Sequence, residues 1–315
     1  VSDNPVLLVG SPRDAHIEAV AAGLEEAQVD TVVLDTLAFP ESPAIALGER
    51  MDSIVVDARD LGRPAAIYIR DVYAQPLAVG VDVEDEMAQD WRTTLVALRE
   101  KAHVLYPMLG RWSELGVPCY NPMSADWRLT KPMQLSLLER AGLPVPPTVW
   151  TNDPATVRAF AAGQRVAYKP VAGGAATREL GPEDLTDDRL ATLRGAPVTF
   201  QKLLSGDNYR VYCLDGDIIA TIRIGSESLD YRQQEEVIEQ ASLAKTVRDQ
   251  CLKAAEILGL RWTGIDLKQD DDGRLQFLEL NSSPMFLGFD RRAGTGILSA
   301  LVAVLASHAG QTSVS

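Results

Sequence analysis

Between Trp262 and Asn281 the chain holds two alternating apolar–polar runs separated by turn residues, which commits this stretch to an antiparallel strand pair. With Asp272-Gly273 as the central residues of a type I′ turn, residue 271 pairs with 274 and Asp266 falls opposite Glu279. The period of two puts Asn281 on the same face. Two carboxylates facing each other across a ladder repel. A hard cation reverses that sign, because Asp, Glu and Asn supply the oxygen ligands Mg²⁺ prefers. The competing reading is an acidic hairpin whose carboxylates point into water. A turn shifted by one residue would send the two acids to opposite faces.

The remaining composition narrows the classes. At 315 residues the chain is long enough for two or three substructures with sizeable cores, and 46% hydrophobic with 23% charged residues is ordinary for a globular protein. No apolar run reaches bilayer length, and Val1-Ser-Asp-Asn lacks the basic and apolar regions of a secretory signal, so a soluble, cytoplasmic protein without a membrane partner is expected. Cys119, Cys213 and Cys251 match neither a zinc pattern nor a disulfide framework, and Cys251 falls on a helical apolar stripe. His16, His103 and His308 are too scattered to suggest a histidine metal site or a Ser/His/Asp triad. A net charge of −14 argues against nucleic-acid binding; it is compatible with attracting a basic peptide, but simple solubility is the stronger reading.

The N-terminal third alternates strand and helix signals. Val6 to Gly10 reads as a buried strand, Ile17, Val20, Ala21 and Leu24 recur at helical spacing, and Thr31 to Asp35 and Ala65 to Arg70 read as further strands. No GxGxxG follows the first strand, so this part is expected to bind substrate or support a neighbour rather than hold a dinucleotide. Asn121-Pro122 marks a boundary. Thr130 is placed to cap a helix with Pro132 in its first turn, burying Leu135, Leu138 and Ala141 and stopping at Gly142-Leu-Pro-Val-Pro-Pro147. Strands are expected over 165–171, 198–204 and 209–224. A helix carrying Val247, Cys251, Ala254 and Leu258 then precedes the acidic hairpin, and a last helix runs roughly from Gly296 to Ser307.

Charged residues sit at informative places in this frame. Lys169 ends a strand and is followed at once by the small residues 172–177, a pairing suited to an anionic phosphate, though the loop is not a P-loop. Arg210, Arg223 and Arg232 lie on or beside the strands that lead to the hairpin, which suits a site holding polyphosphate, metal and a carboxylate. The plainer reading is a surface of exposed ion pairs.

Taken in order, the signals are Lys131 before a helix ending in Ala-Gly-Leu-Pro-Val-Pro-Pro, Tyr-Lys169-Pro before a Gly-rich loop, and Phe-Gln201-Lys-Leu-Leu. Asn-Tyr-Arg210-Val, Asp-Tyr-Arg232, Gly-Ile-Asp266 and Leu-Glu279-Leu-Asn281-Ser-Ser-Pro284 follow. This series resembles the ATP-grasp superfamily, particularly its RimK-like ligases, over roughly residues 120 to 300. The N-terminal third, with Asp35-Thr-Leu-Ala-Phe-Pro40 and Tyr68-Ile-Arg70, is similar to the corresponding domain of graspetide synthetases, which cyclise ribosomal peptides.

The resemblance implies an α/β chain with an α+β ATP-grasp fold. A Rossmann-like N-terminal domain (1–122) would precede a central lid subdomain (123–202) and a C-terminal subdomain with the Mg²⁺ site (203–315), the last two clamping ATP. It also implies roles. Lys131 and Lys169 would hold phosphates, and Gln201, Lys202, Leu203 and Leu204 would form the hinge beside adenine. Asn208 would stand where the family usually has an acid on ribose. Arg210, Arg223 and Arg232 would face the phosphates and an acyl phosphate, and Asp266, Glu279 and Asn281 would carry Mg²⁺. Two ions are expected, with Mn²⁺ as a substitute. The implied activity is an ADP-forming ligase that activates a carboxylate as an acyl phosphate and joins it to an amine, on an amino acid or peptide. The alternatives are a graspetide synthetase forming side-chain esters or amides, a kinase, and a silent nucleotide-binding scaffold; a homo-oligomer is compatible with each. Three departures bear on this: Lys202 where Glu is frequent, Gln233-Gln234 where Ser-Asn is frequent, and no Gly-Gln-Trp after Asn281.

Overall fold

The computed structural model describes residues 4–51, 53–72, 83–172, 176–225 and 237–310, with backbone only for 83–89. Strand β1 (Val6–Val9) feeds helix α1 (Ala15–Glu26), capped by Asp14, whose carboxylate accepts from the His16 N–H at 2.7 Å. Next come β2 (Thr31–Leu34) and a small antiparallel sheet of β3 (Ile45–Leu47), β4 (Ile54–Val56) and β5 (Arg59–Asp60). After β6 (Ala66–Ile69), helix α2 (Val83–Glu114) crosses to β7 (Cys119–Tyr120). Strands β1, β2, β6 and β7 make a parallel sheet in the order β2-β1-β6-β7. Helices cover both its faces, which is why β1 and β6 are unbroken apolar runs. The alternation read from the sequence is therefore correct here, but α2 was missed. It breaks at Asp90 (φ −155°, ψ 84°), whose carboxylate accepts from the Thr93 N–H at 3.2 Å.

Helix α3 (Lys131–Arg140) opens the middle region. Thr130 precedes it as expected but does not cap it: its hydroxyl donates back to the Trp127 carbonyl at 3.4 Å. The buried residues are Gln134, Leu135 and Leu138, while Ala141 is the half-buried end residue rather than part of the stripe. Strands β8 (Thr148–Thr151), β9 (Val166–Pro170), β10 (Arg178–Glu179) and β11 (Val198–Lys202) form an antiparallel sheet in the order β10-β9-β11-β8. Helices α4 (Pro154–Ala161) and α5 (Asp187–Ala191) accompany it, over a core of Val157, Val166, Leu190, Leu193 and Phe200.

The C-terminal region is a five-stranded antiparallel sheet of order β14-β13-β12-β15-β16. It consists of β12 (Asn208–Leu214), β13 (Asp217–Gly225), β14 (Val237–Gln240), β15 (Trp262–Gln269) and β16 (Leu275–Asn281), with α6 (Lys245–Leu258) between β14 and β15. One face packs Val211, Ile265, Leu267 and Phe277 against α3 and α6. On the other face Tyr212, Ile222 and Trp262 join Phe286 and helix α8 (Ile297–Ala309), reached through α7 (Leu287–Ala293), in one core with Val6, Leu8, Ile17, Val20 and Tyr68. The N-terminal parallel sheet and the C-terminal sheet thus share a core, with α8 seated on α1; a Cβ on Gly23 would meet Val302 Cγ2 at 2.7 Å. The middle sheet has its own.

Candidate active site

The hairpin of β15 and β16 does not use the two-residue turn expected at Asp272-Gly273. Asp270 N–H donates to Arg274 O at 2.9 Å, Gly273 N–H donates to Asp270 O at 3.0 Å, and Gly273 takes φ +78°. This is a three-residue loop closed by a left-handed glycine. It pairs Gln269 with Leu275, Lys268 with Gln276 and Leu267 with Phe277, one residue away from the expected register. Continued unchanged, that ladder would set Asp266 against Leu278 and turn the two acids to opposite faces. A bulge intervenes: the register shifts beyond Leu267, so Asp266 lies opposite Glu279 and Gly264 opposite Asn281. Loop and bulge each displace the register by one residue, in opposite senses, and the juxtaposition inferred from sequence results.

Charge is concentrated around this pair. In β12, Arg210 lies opposite Asp266 and its Nη1 donates to Asp266 Oδ1. Lys131, the first residue of α3, places its Nζ 2.9 Å from Glu279 Oε2. Asn281 Nδ2 donates to Asp266 Oδ2 at 3.3 Å. Burial pushes the Asp266 carboxyl above its ordinary value; Arg210 draws it back and Glu279 pushes it up again. Two carboxylates about 5 Å apart repel by about 3 kcal/mol at an effective dielectric of about 20. A shared hard cation relieves that repulsion, and two carboxylates with an amide oxygen are a donor set that fits Mg²⁺. Among the described residues no group of three or more Asp, Glu, His or Cys is placed to hold a metal ion, here or elsewhere; the set here is two carboxylates and one amide.

Asn208 lies buried on the same face, opposite Lys268, and its Oδ1 accepts from Lys268 Nζ at 3.1 Å. Burial pushes the Lys268 ammonium below its ordinary value, with Asp207 opposing. Lys268 was not singled out in the sequence, although its position two residues after Asp266 assigns it to this face. Arg223 does not join the cluster. It lies opposite Tyr209, on the face turned towards α6, where Asp207 (2.8 Å) and Glu239 (2.6 Å) hold it. The expectation that it faces the phosphates fails because residue 223 has the opposite parity to Ile222, the partner of Arg210. Arg232 and residues 173–175 of the small-residue loop lie outside the described residues.

On the middle sheet, Lys169 and Trp150 both lie opposite Thr199, so all three share one face, turned away from the local core. Lys169 Nζ donates to Gln201 Oε1 at 3.5 Å, and Gln201 Nε2 donates to Thr148 Oγ1 at 2.9 Å. Among the described residues Trp150 Nε1 and Thr199 Oγ1 find no hydrogen-bond partner although both are buried on this face, as expected of a surface that meets a polar ligand. In the stretch 201–204 the Lys202 N–H donates to Pro147 O and the Leu203 N–H to Arg165 O, both at 2.9 Å, so neither is free for a base; Leu204 is buried.

Comparison with known proteins adds to this geometry. Residues 199–305 match the RimK-like ATP-grasp domain family. Curated relatives include a probable alpha-L-glutamate ligase of Shewanella halifaxensis, 32% identical over 109 residues, and a tetrahydromethanopterin:alpha-L-glutamate ligase of Methanocaldococcus jannaschii, 30% identical over 95 residues. These matches span 33% and 30% of this chain but only 23% and 32% of the relatives' own lengths. The solved structure of ATP-grasp ligase PsnB, complexed with a phosphomimetic variant of minimal precursor, Mg and ADP, is similar from end to end: 45% identity, 98% of this chain, 100% of that chain, and a TM-score of 0.92. The chain belongs to the ATP-grasp ligases. The macrocyclase MdnC of Microcystis aeruginosa, solved with precursor peptide MdnA, shares the fold at a TM-score of 0.78 and 24% identity, over 96% of this chain and 99% of that one.

One further part of this ATP-grasp ligase escaped the sequence reading. The segment after Asn281 is tied to the N-terminal sheet: Arg70 Nη1 donates to Ser283 O at 2.6 Å, and Ser283 Oγ returns a bond to Arg70 O at 2.7 Å. Asn121 Nδ2 donates to Ser282 O (2.7 Å), Tyr212 Oη to Met285 O (2.6 Å), and the Phe286 N–H to His16 Nε2 (3.1 Å). Asp14 orients the first and last of these anchors, bonding Arg70 Nε at 2.9 Å and His16 Nδ1 at 3.1 Å. Among the described residues no helix is long and apolar enough to cross a membrane.

Proposed function

We propose that this ATP-grasp ligase uses MgATP to activate side-chain carboxylates of a ribosomally made precursor peptide and joins them to hydroxyl or amine side chains of the same peptide. The observation that carries this reading is the end-to-end similarity to PsnB, whose solved complexes hold precursor peptide, Mg and ADP or AMPPNP. The glutamate-ligase relatives match only about a third of this chain.

In this reading Lys131, Lys169 and Arg210 take the phosphates. Asn208 and Lys268 meet the ribose end, the 201–204 stretch lies beside adenine, and the acyl phosphate is assigned to Arg232 on its sequence position alone. Asp266, Glu279 and Asn281 would hold the Mg²⁺, which when bound neutralises charge on the phosphate oxygens. Arg210 pairs with Asp266 and Lys131 with Glu279, so both cations stand beside the residues that would hold the metal and are placed to meet the phosphates there. A substrate carboxylate oxygen attacks the γ-phosphorus of ATP, the bond to the β-phosphate oxygen breaks, and acyl phosphate and ADP result. An amine or hydroxyl then attacks the acyl carbon, phosphate leaves, and the attacking group loses a proton. Arg210 and the lysines counter the charge that builds on the transferred group. Lys169, carried on the separate middle sheet, would add its charge to the phosphates from that sheet's outer face.

The test is mass spectrometry of a Thr-, Glu-, Asp- or Lys-rich precursor peptide encoded near this chain, after incubation with enzyme and MgATP. Loss of one water per ADP formed, within a single peptide, is expected. A joined product of two reactants would favour simple carboxylate–amine ligation instead. Tight ATP binding with no ADP release would favour a silent scaffold.

A further inference from the structure

Strand β16, which carries both Glu279 and Asn281, is the edge of its sheet and contains the bulge that sets its register. An edge strand has no neighbour on its outer side to hold a register, and a slip of one residue would bring a leucine opposite Asp266 and turn Glu279 away. The outer side of β16 is occupied by single groups from the segment that includes α3. On the hairpin side of the bulge, the Phe277 N–H donates to Pro144 O at 2.8 Å. On the far side, Gln134 reproduces a missing strand: its Oε1 accepts from the Leu280 N–H at 3.0 Å, and its Nε2 donates to Leu280 O at 2.8 Å.

The amide of Gln134 is fully committed. Its other N–H donates to Leu129 O at 2.8 Å, and the residue is 2% exposed. Its orientation is therefore set by bonding alone, and no other side chain of that length both donates and accepts in this way. Leu280 points into the core beneath the sheet, so fixing its backbone presents the residues on either side of it to the cleft. Those residues are Glu279 and Asn281. Lys131 lies one turn earlier on the same face of α3 and meets the Glu279 carboxylate, so a single helical turn grips both the backbone and a side chain of the edge strand.

We propose that Gln134 is the positioning residue that locks the register of β16 and thereby holds Glu279 and Asn281 opposite Asp266. This rests on the reading of those three residues as the Mg²⁺ set. The test uses the full-length chain with Mn²⁺ and ADP as probes. In Gln134→Met, Mn²⁺ affinity in the presence of ADP is expected to fall about tenfold or more, and the Leu280 amide to exchange faster with solvent. ADP binding measured without metal should stay at the wild-type value. Leu135→Ala, a core truncation in the same helix with no bond to β16, should lower the melting temperature without changing Mn²⁺ affinity. Gln134→Glu, which keeps the acceptor for Leu280 N–H but loses the donor, should fall between wild type and the Met variant, and stands in if Gln134→Met does not fold. Glu279→Gln separates the two ideas. If it leaves Mn²⁺ affinity intact, the metal reading fails. If it weakens Mn²⁺ binding while the Gln134 variants bind as wild type, or Leu135→Ala weakens binding as much as they do, the positioning role is overturned.

Discussion

Residue parity separates the arginines. Arg210 and Arg223 are both strand residues, yet only Arg210 shares a face with Asp266. Arg223→Ala is therefore expected to leave the ATP KM and turnover essentially unchanged in a steady-state ADP-release assay; a drop of about a hundredfold, the size seen when a transition-state contact is removed, would place it back in the site. Asp14 behaves differently, because it is nearly buried and joins Arg70 to His16. Burial alone would raise its carboxyl, but the His16 and Arg70 contacts outweigh that and hold it far below the ordinary value. A depressed folded-state value means that its stabilisation is complete above the unfolded value of about 3.9 and is lost as pH falls below it. Asp14→Asn should cost about 3 kcal/mol near neutrality by leaving Arg70 without its buried partner, with the difference from wild type shrinking in thermal melts below about pH 4.

Elements are held by groups that sequence patterns show poorly. Asp290, inside α7, caps the next helix: it accepts from the Ile297 and Leu298 N–H groups at 2.9 Å and from Thr295 Oγ1 at 2.8 Å. These bonds outweigh burial and lower its carboxyl. Asp290→Ala should destabilise the protein by about 1 kcal/mol in denaturant unfolding, with no change in metal affinity; an unaltered midpoint would show that α8 is held by packing alone. The strands of the N-terminal sheet were legible because continuous apolar runs bounded by turn residues admit few readings. The hairpin was legible as an element and, through two cancelling shifts, in its key pair. A left-handed Gly273 closing three residues and a bulge beyond Leu267 leave no periodic trace, since each depends on contacts distant in sequence. Helix α2 escaped because its described side chains over 90–100 are mostly exposed and show no steady apolar stripe, as Trp91, Leu95 and Val96 illustrate. Gln134 escaped because a glutamine in an amphipathic helix looks like any surface residue until the edge strand beside it is known.

At the scale of the molecule, the N-terminal and C-terminal regions share one core while the middle sheet keeps its own. Two chain crossings link them, at 141–147 and 203–207, the second tied to β15 by Gly206 N–H to Gln269 O (3.1 Å) and Gln269 N–H to Asp207 O (3.0 Å). Scattering in solution should therefore report a smaller radius of gyration when a non-hydrolysable MgATP analogue binds, and Lys169→Met should bind the analogue with less compaction. An unchanged radius in the wild type would mean that the two parts do not move. The two lysines proposed to take the phosphates are divided between these parts: Lys131 is anchored to the floor through α3, and Lys169 rides on β9. Because the two lysines ride on parts with separate cores, the gap between their ammonium groups follows the position of one part against the other. A polyphosphate that touches both acts as the pin of a clasp, and handing its terminal group to a substrate shortens the pin. The chemical step and the mechanical release are then one event.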